Sequence, residues 1–323
     1  MIIQSGICHD RFEFLEILAN FAKRCGWSIN KQTKDELYLK NSFDNFLQIK
    51  LDFYEDQKGA MVAGAFSFDE NKKFEEQEGF TLTNLHDSYL QYMQISTGFD
   101  FGAIDLEKYT LLGDEEVLFC HVFGAFREIN FYNFFSANLV KTNDFDGGHL
   151  LFGNCALGDH FGNYKRIKTN ANNNSSPFEV GFSNFTNGFY FLRVGKKWMA
   201  NFVDYPYSDK SPKFSDIRIF SNLQKYRYDN EENPVNSAVK LSIFDILDIK
   251  RDFYTNLPII VAPEFYYKND LESWSVAGYL DKIRVVSAVS VEDKEELYLG
   301  DEKFIMIKAP SLPNAQYALA VKL

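Results

Sequence analysis

Residues 182–203 read FSNFTNGFYFLRVGKKWMANFV. Two glycine turns punctuate this run. Asn187-Gly188 lies between the apolar runs 182–186 and 189–194. Asn-Gly accepts the positive φ of a type I′ turn, so the pair predicts a β-hairpin. Gly195-Lys196-Lys197 turns the chain again before Trp198, Met199 and the residues up to Val203. Short apolar strands set off by such tight turns predict an antiparallel sheet.

The same grammar extends towards both ends. Strands are predicted over 117–126, 129–135 and 139–141, and later over 241–249, 259–262, 283–286, 297–299 and 304–307. Leu299-Gly300-Asp301-Glu302-Lys303 is a tight turn between the last two. Many short strands separated by turn signals predict sandwich or barrel-like β domains. The Asn-rich run 170–177 has no apolar anchor and reads as a loop.

The amino-terminal part differs. Asp10 can cap a helix, with Glu13 three residues on as in a capping box. Phe14, Leu15, Leu18, Phe21 and Ala22 form one apolar stripe, and Gly26 is a stop. The period then changes to two. Leu47, Ile49, Leu51 and Phe53 alternate with Gln48, Lys50, Asp52 and Tyr54, which predicts a half-buried strand. Shorter strands are expected at 27–29, 37–39 and 61–68. The fold class is therefore mainly β (α+β): a small helix-plus-sheet unit, then antiparallel β sandwich or barrel-like domains. The expected boundaries are 1–78 for the α+β unit, 79–112 for a poorly periodic connector or arm, 113–240 for a central β domain and 241–323 for a carboxyl-terminal β domain.

Composition narrows the function classes. The 323 residues carry 34 Lys and Arg against 45 Asp and Glu, a net charge of −11. A nucleic-acid clamp needs a basic stripe, so direct nucleic-acid binding is not expected. The amino terminus has no basic stretch followed by a long apolar run, and no secretory signal is expected. No segment approaches the ~18 consecutive apolar residues of a membrane helix, so no membrane span is expected. Cys8, Cys25, Cys120 and Cys155 are scattered and read as reduced, buried thiols. Phe, Tyr and Trp make up 17% of the chain. Strand alternation assigns about half of the aromatics to cores, leaving the outward half for ligands or subunits.

The motifs of common chemistries are missing. The sequence has no Gly-x-Gly-x-x-Gly, no phosphate loop and no Gly-x-Ser-x-Gly elbow. One polar cluster gathers Cys120, His121, Asp144, Asp146, His149, Cys155, Asp159 and His160. A zinc reading would use His149, Cys155 and His160 with Cys120 or His121, but the spacing matches no zinc module, and neighbours in a strand face opposite ways. Residues 142–148 resemble half a calcium loop without its third acidic position or closing Glu, and read instead as a turn into a strand. No metal site is expected.

Residues 120–153 read CHVFGAFREINFYNFFSANLVKTNDFDGGHLLFG. His121, Val122, Gly124, Phe126, Arg127, Leu139, Lys141, Phe145, Gly147, Gly148, Phe152 and Gly153 together resemble a motif set of tailed-bacteriophage virion structural proteins. Trp274-Ser275 to Gly278, Ile283 to Val286, Leu299 to Phe304 and Ala318 to Lys322 are similar to the same family, as are the first helix and Gly26-Trp27-Ser28. The chain departs from the family pattern in having Phe123 alone between His121-Val122 and Gly124. The resemblance implies a virion component, made in the bacterial cytoplasm and repeated in a symmetric ring at the neck, collar or baseplate. Its partners would be identical subunits and other virion proteins. The resemblance implies neither an enzymatic activity nor a cofactor. Phe126, Arg127, Lys141, Gly147 and Gly148 are the candidate motif and interface residues. Read physically, Gly147-Gly148 supplies a turn that glycine tolerates. Arg127 and Lys141 either pair with carboxylates or remain solvated. The alternative is a receptor- or glycan-binding module at a tail tip, with outward aromatics stacking on sugars; a third reading is an envelope-degrading hydrolase.

Overall fold

A computed structural model of the chain describes residues 1–51, 60–80, 93–94, 96–97, 107–124, 131–153, 156–157, 189–200, 217–221, 224–226, 238–240, 255–269, 271, 273–307 and 317–323. The fold is mainly β, as expected, and every strand pair among the described residues is antiparallel. In chain order the elements begin with β1 (Ile2–Cys8), α1 (Arg11–Arg24), β2 (Ser28–Gln32), β3 (Glu36–Lys40), β4 (Phe46–Leu51) and β5 (Ala60–Ala65). Next come β6 (Met93–Gln94), β7 (Ser96–Thr97), β8 (Glu107–Gly113), β9 (Leu118–Gly124), β10 (Phe131–Asn138), β11 (Val140–Lys141), β12 (Gly147–Gly153), β13 (Ala156–Leu157), β14 (Phe189–Val194) and β15 (Lys197–Ala200). The rest are β16 (Ile217–Ser221), β17 (Gln224–Tyr226), β18 (Ala238–Lys240), β19 (Ile260–Val261), β20 (Pro263–Lys268), β21 (Trp274–Tyr279), β22 (Ile283–Ser287), β23 (Glu296–Leu299), β24 (Glu302–Ile307) and β25 (Tyr317–Lys322).

The chain divides into two compact units. The first comprises Met1–Asn138 and Phe145–Ser215, the second Leu139–Asp144 and Asp216–Leu323. The first unit holds a seven-stranded sheet, in the order β1-β8-β9-β10-β12-β14-β15, and a five-stranded sheet, β2-β3-β4-β5-β7. Phe14, Leu15, Leu18, Ala19, Phe21 and Ala22 of α1 share one core with Leu37, Leu39, Leu47 and Ile49 of the smaller sheet and Leu111, Cys120, Phe134, Leu151 and Phe191 of the larger. Burying each large apolar side chain contributes roughly 1.5–3 kcal/mol before entropy is subtracted.

Helix α1 begins and ends as its sequence dictates. The Asp10 carboxylate accepts from the backbone N–H of Phe12 and of Glu13, both at 2.8 Å. Glu13 reaches one residue further back than a strict capping box, accepting from the His9 N–H at 2.6 Å. At the other end, Gly26 takes φ +91. Its N–H bonds the Lys23 carbonyl at 3.1 Å and the Trp27 N–H bonds the Ala22 carbonyl at 3.0 Å. Those two bonds form a Schellman cap.

Two expectations change in this unit. The strand at Leu47–Leu51 is not half-buried at its centre, because Gln48 is buried and donates to the Phe74 carbonyl at 3.1 Å. The charged stretch 69–78 folds over that face. It places Phe74 against Tyr38 and Phe80, at ring-centroid distances of 6.0 and 5.5 Å. Gln77 pins the fold-back by donating to the Asp69 carbonyl at 2.9 Å and accepting from the Asp69 N–H at 2.8 Å. Within the stretch expected as a connector or arm, residues 107–112 form most of β8, between β1 and β9. Its alternation was hidden because Tyr109 and Leu111 on one face and Thr110 and Leu112 on the other are all buried. The Asn187-Gly188 turn, the Asn-rich run and the strand predicted over 241–249 lie outside the described residues, as does Phe53. The Gly195 turn is present. It joins β14 to β15 with Val194 opposite Lys197, and Gly195 has φ +59.

The second unit contains sheets β11-β21-β20-β16 and β19-β22-β25-β24-β23. Val286, Phe304, Met306, Ala318 and Ala320 form a core on one face of the five-stranded sheet. Arg284 bonds Asp281 and Glu302, both at 3.0 Å, and Lys322 bonds the same two carboxylates at 2.9 and 2.7 Å. Gly300, at φ +61, makes the expected turn between β23 and β24.

Because Asp10 satisfies two orphan N–H groups, Asp10→Ala is expected to lower stability by about 1 kcal/mol and Asp10→Asn by much less. Urea midpoints at unchanged slope measure both changes.

Candidate functional site

Of the five residues singled out by sequence, Phe126 and Arg127 lie outside the described residues. Lys141, Gly147 and Gly148 fall on one short excursion of the chain. After β10 the chain leaves the first unit, and Leu139–Asp144 belongs to the second. There β11 adds an edge strand to β21, with Val140 opposite Tyr279 and Lys141 opposite Gly278. Pairing continues past the strand. The Thr142 N–H bonds the Ala277 carbonyl at 3.2 Å, and the Asn143 side-chain amide bonds the Val276 carbonyl at 2.8 Å. Leu139 is buried, whereas Val140 and Lys141 are exposed.

Glycine makes both ends of the excursion possible. Gly278 has φ +153, and a β-carbon there would lie 2.2 Å from the Val140 carbonyl oxygen. Gly147 has φ +110, and a β-carbon there would lie 2.4 Å from the Arg193 carbonyl oxygen. Gly148 follows at φ +98. Gly147 pairs with Val194 but Leu150 with Leu192, so one extra residue is accommodated as a β-bulge. The expected turn into a strand is therefore a bulge that opens β12.

A buried polar seam lies beside this return, within the first unit. The Ser136 hydroxyl and His149 Nε2 are 2.7 Å apart. The His149 ring meets Trp198 edge-on at 5.3 Å, and Trp198 Nε1 donates to the Gly79 carbonyl at 2.6 Å. Asn138, directly opposite His149, accepts a hydrogen bond from the amide of Asn45, in the turn that precedes β4. Burial, with the nearby Arg193 cation, lowers the His149 pKa to about 3. Among the described residues His149 Nδ1 has no hydrogen-bond partner, and none of them supplies the acid that orients a hydrolytic triad. Ser136 and His149 are also 0% and 1% exposed, so the seam is closed to solvent. Sequence reading set His149 among zinc candidates and did not see Ser136, because only the register of β10 against β12 brings them together.

The zinc grouping is separated by the sheet itself. Cys120 faces the helix-side core, so its strand neighbour His121 faces the other way. His149, against Trp198 in that same core, lies on the helix side. The two histidines therefore occupy opposite faces. Burial lowers the His121 pKa to about 4 and raises that of Cys120. Cys155, Asp159 and His160 lie outside the described residues. Among the described residues no group of three or more His, Cys, Asp and Glu is placed to hold a metal ion. Cys8, Cys25 and Cys120 are buried and form no disulfide.

The scaffold defined by these features is a β-rich α+β protein in which one unit receives a strand from within the sequence of the other. No protein-family model matches the chain, and no curated protein matches it. Among the described residues no helix is long and apolar enough to cross a membrane.

Two outcomes follow from this geometry. Gly147→Ala and Gly278→Ala, which meet both positive φ and backbone crowding, are expected to cost more than about 2 kcal/mol each. Gly300→Ala, with φ +61 but open space around it, is expected to cost about 1 kcal/mol; thermal midpoints give the ranking. Acid is the second lever. His121 and His149 stay neutral when folded but protonate near pH 6.5 when unfolded. Stability is therefore full above that pH and is lost as pH falls towards about 4 for His121 and about 3 for His149. Urea unfolding at pH 7 and pH 5 is expected to differ by about 2 kcal/mol per histidine. His149→Gln is expected to remove about half of that difference.

Proposed function

We propose that the chain is a structural component of a tailed-phage virion, acting by assembly rather than by turnover and without a cofactor. It assembles with copies of itself and with neighbouring virion proteins in a symmetric ring at the neck, collar or baseplate. One observation carries this reading. Two patches of the family-like pattern, far apart in sequence, are register partners: Lys141 stands opposite Gly278. The Gly147-Gly148 element that follows is a bulge whose first glycine lies against a neighbouring strand's backbone. Motif residues placed in this way specify a scaffold. The most buried polar pair, Ser136 and His149, is sealed in that scaffold rather than presented in a cleft.

An assembling scaffold also needs outward apolar groups. Ile3, Ile7, Val140, Leu257, Leu271 and Val289 are large apolar side chains at the surface. Exposed aromatics are fewer: among the described residues Phe43 and Tyr298 are the large ones. Among the described residues the exposed apolar groups are therefore mostly aliphatic, which gives a sugar-stacking platform little support. Ring closure would come from a repeated heterologous contact.

The test is fractionation of phage particles from an infected culture of the host. The chain is expected in purified, DNA-filled particles at a fixed copy number, with antibody labelling at one axial position. Recovery of the chain solely in the soluble fraction contradicts the proposal.

A further inference from the structure

Strand β1 lies at the edge of the seven-stranded sheet and pairs with β8 on one side. Among the described residues nothing pairs with the other side of Ile2–Ile7. Every second residue of β1 therefore directs its N–H and C=O outward. An open edge of this kind is a template for another strand, and proteins usually guard it with charge, proline or short length. Three other described edges longer than two residues are guarded: β2 carries Lys31, β15 Lys197 and β23 Glu296. β1, with seven residues reading IIQSGIC, has neither a charge nor a proline.

Its exposed face reads Ile3, Ser5, Ile7 and is symmetric about Ser5. Ile3 and Ile7 are 38% and 51% exposed and stand two residues either side of Ser5. They share one face of the strand, because side chains alternate. Pairing β1 antiparallel with a second β1 about Ser5 puts Ile3 opposite Ile7, Gln4 opposite Gly6 and Ser5 opposite Ser5. An isoleucine pair then flanks the central Ser5 pair on each side of the two-fold axis. No ionic group enters the paired strands, although each copy carries a net charge of −11.

We infer that β1 is the seam of a two-fold dimer, in which two copies of this chain join their seven-stranded sheets into one continuous antiparallel sheet. Such a contact is isologous and closes on itself. It is separate from the heterologous contact of the proposed ring and stands whether or not that ring exists.

The test uses the full chain with Cys155→Ser, the three buried cysteines kept, and Ser5→Cys added. Opposed residues in an antiparallel pair have Cα atoms about 4.5–5.5 Å apart, within disulfide range. Mild oxidation is expected to give a covalent dimer in high yield, and sedimentation of the unmodified chain a reversible dimer. Ile3→Lys with Ile7→Lys is expected to weaken dimerisation by about a hundredfold or more, while the variant still unfolds cooperatively as a folded monomer. A chain that stays monomeric at high concentration and gives no Ser5→Cys cross-link overturns the inference. Rings or other oligomers that form without the cross-link also overturn it, while leaving the virion proposal standing. If the double lysine variant misfolds, the cross-link alone decides.

Discussion

At Gly278 two backbones come closer than a β-carbon allows. The Val140 carbonyl occupies the space that any other side chain would need. This approach lets β11 run along β21 as an edge strand, though the sequence on both sides of Leu139–Asp144 belongs to the first unit. Gly147 solves the matching problem on the way back, where the returning chain meets the Arg193 carbonyl. Much of the architecture follows. The sheet β11-β21-β20-β16 is built from segments on either side of residues 145–215, and β12 enters the larger sheet through a bulge.

The first unit is held by a different balance. One apolar core joins α1 to both sheets, and within it polar groups are placed in pairs. Gln48 reaches a carbonyl, Ser136 reaches His149, Asn45 reaches Asn138 and Trp198 reaches Gly79. Buried polar groups cost stability unless partnered, so such pairs fix register and relative strand position rather than adding large net energy. The neutral His149 is the exposed flank of this balance in chemical terms, because acid can charge it only by undoing its burial.

Legibility in the sequence followed the range of the interaction. Helix α1, its Asp10 cap and its Gly26 stop depend on residues a few positions apart, and all three were readable. The Gly195 and Gly300 turns were readable for the same reason. Strand β8 was not, because its two faces are both covered and no alternation survives. Gln48 looked like a solvent-facing residue, since nothing local announces that Phe74 will fold over it. At the site, Gly147 and Gly148 were legible as a turn, but the destination of Lys141 was not. Its pairing with Gly278 spans well over a hundred residues and is set by backbone fit. The Ser136–His149 pair needed the register of two strands, which neither segment encodes alone.

The central claim is that Leu139–Asp144 belongs to the second unit and adds β11 to its sheet. Native-state hydrogen exchange at the Thr142 amide tests it most directly, because that N–H bonds the Ala277 carbonyl. Strong protection of Thr142 is expected, lost together with that of the β21 amides as denaturant is added. Exchange of Thr142 at the rate of an unstructured peptide, with β21 still protected, would contradict it.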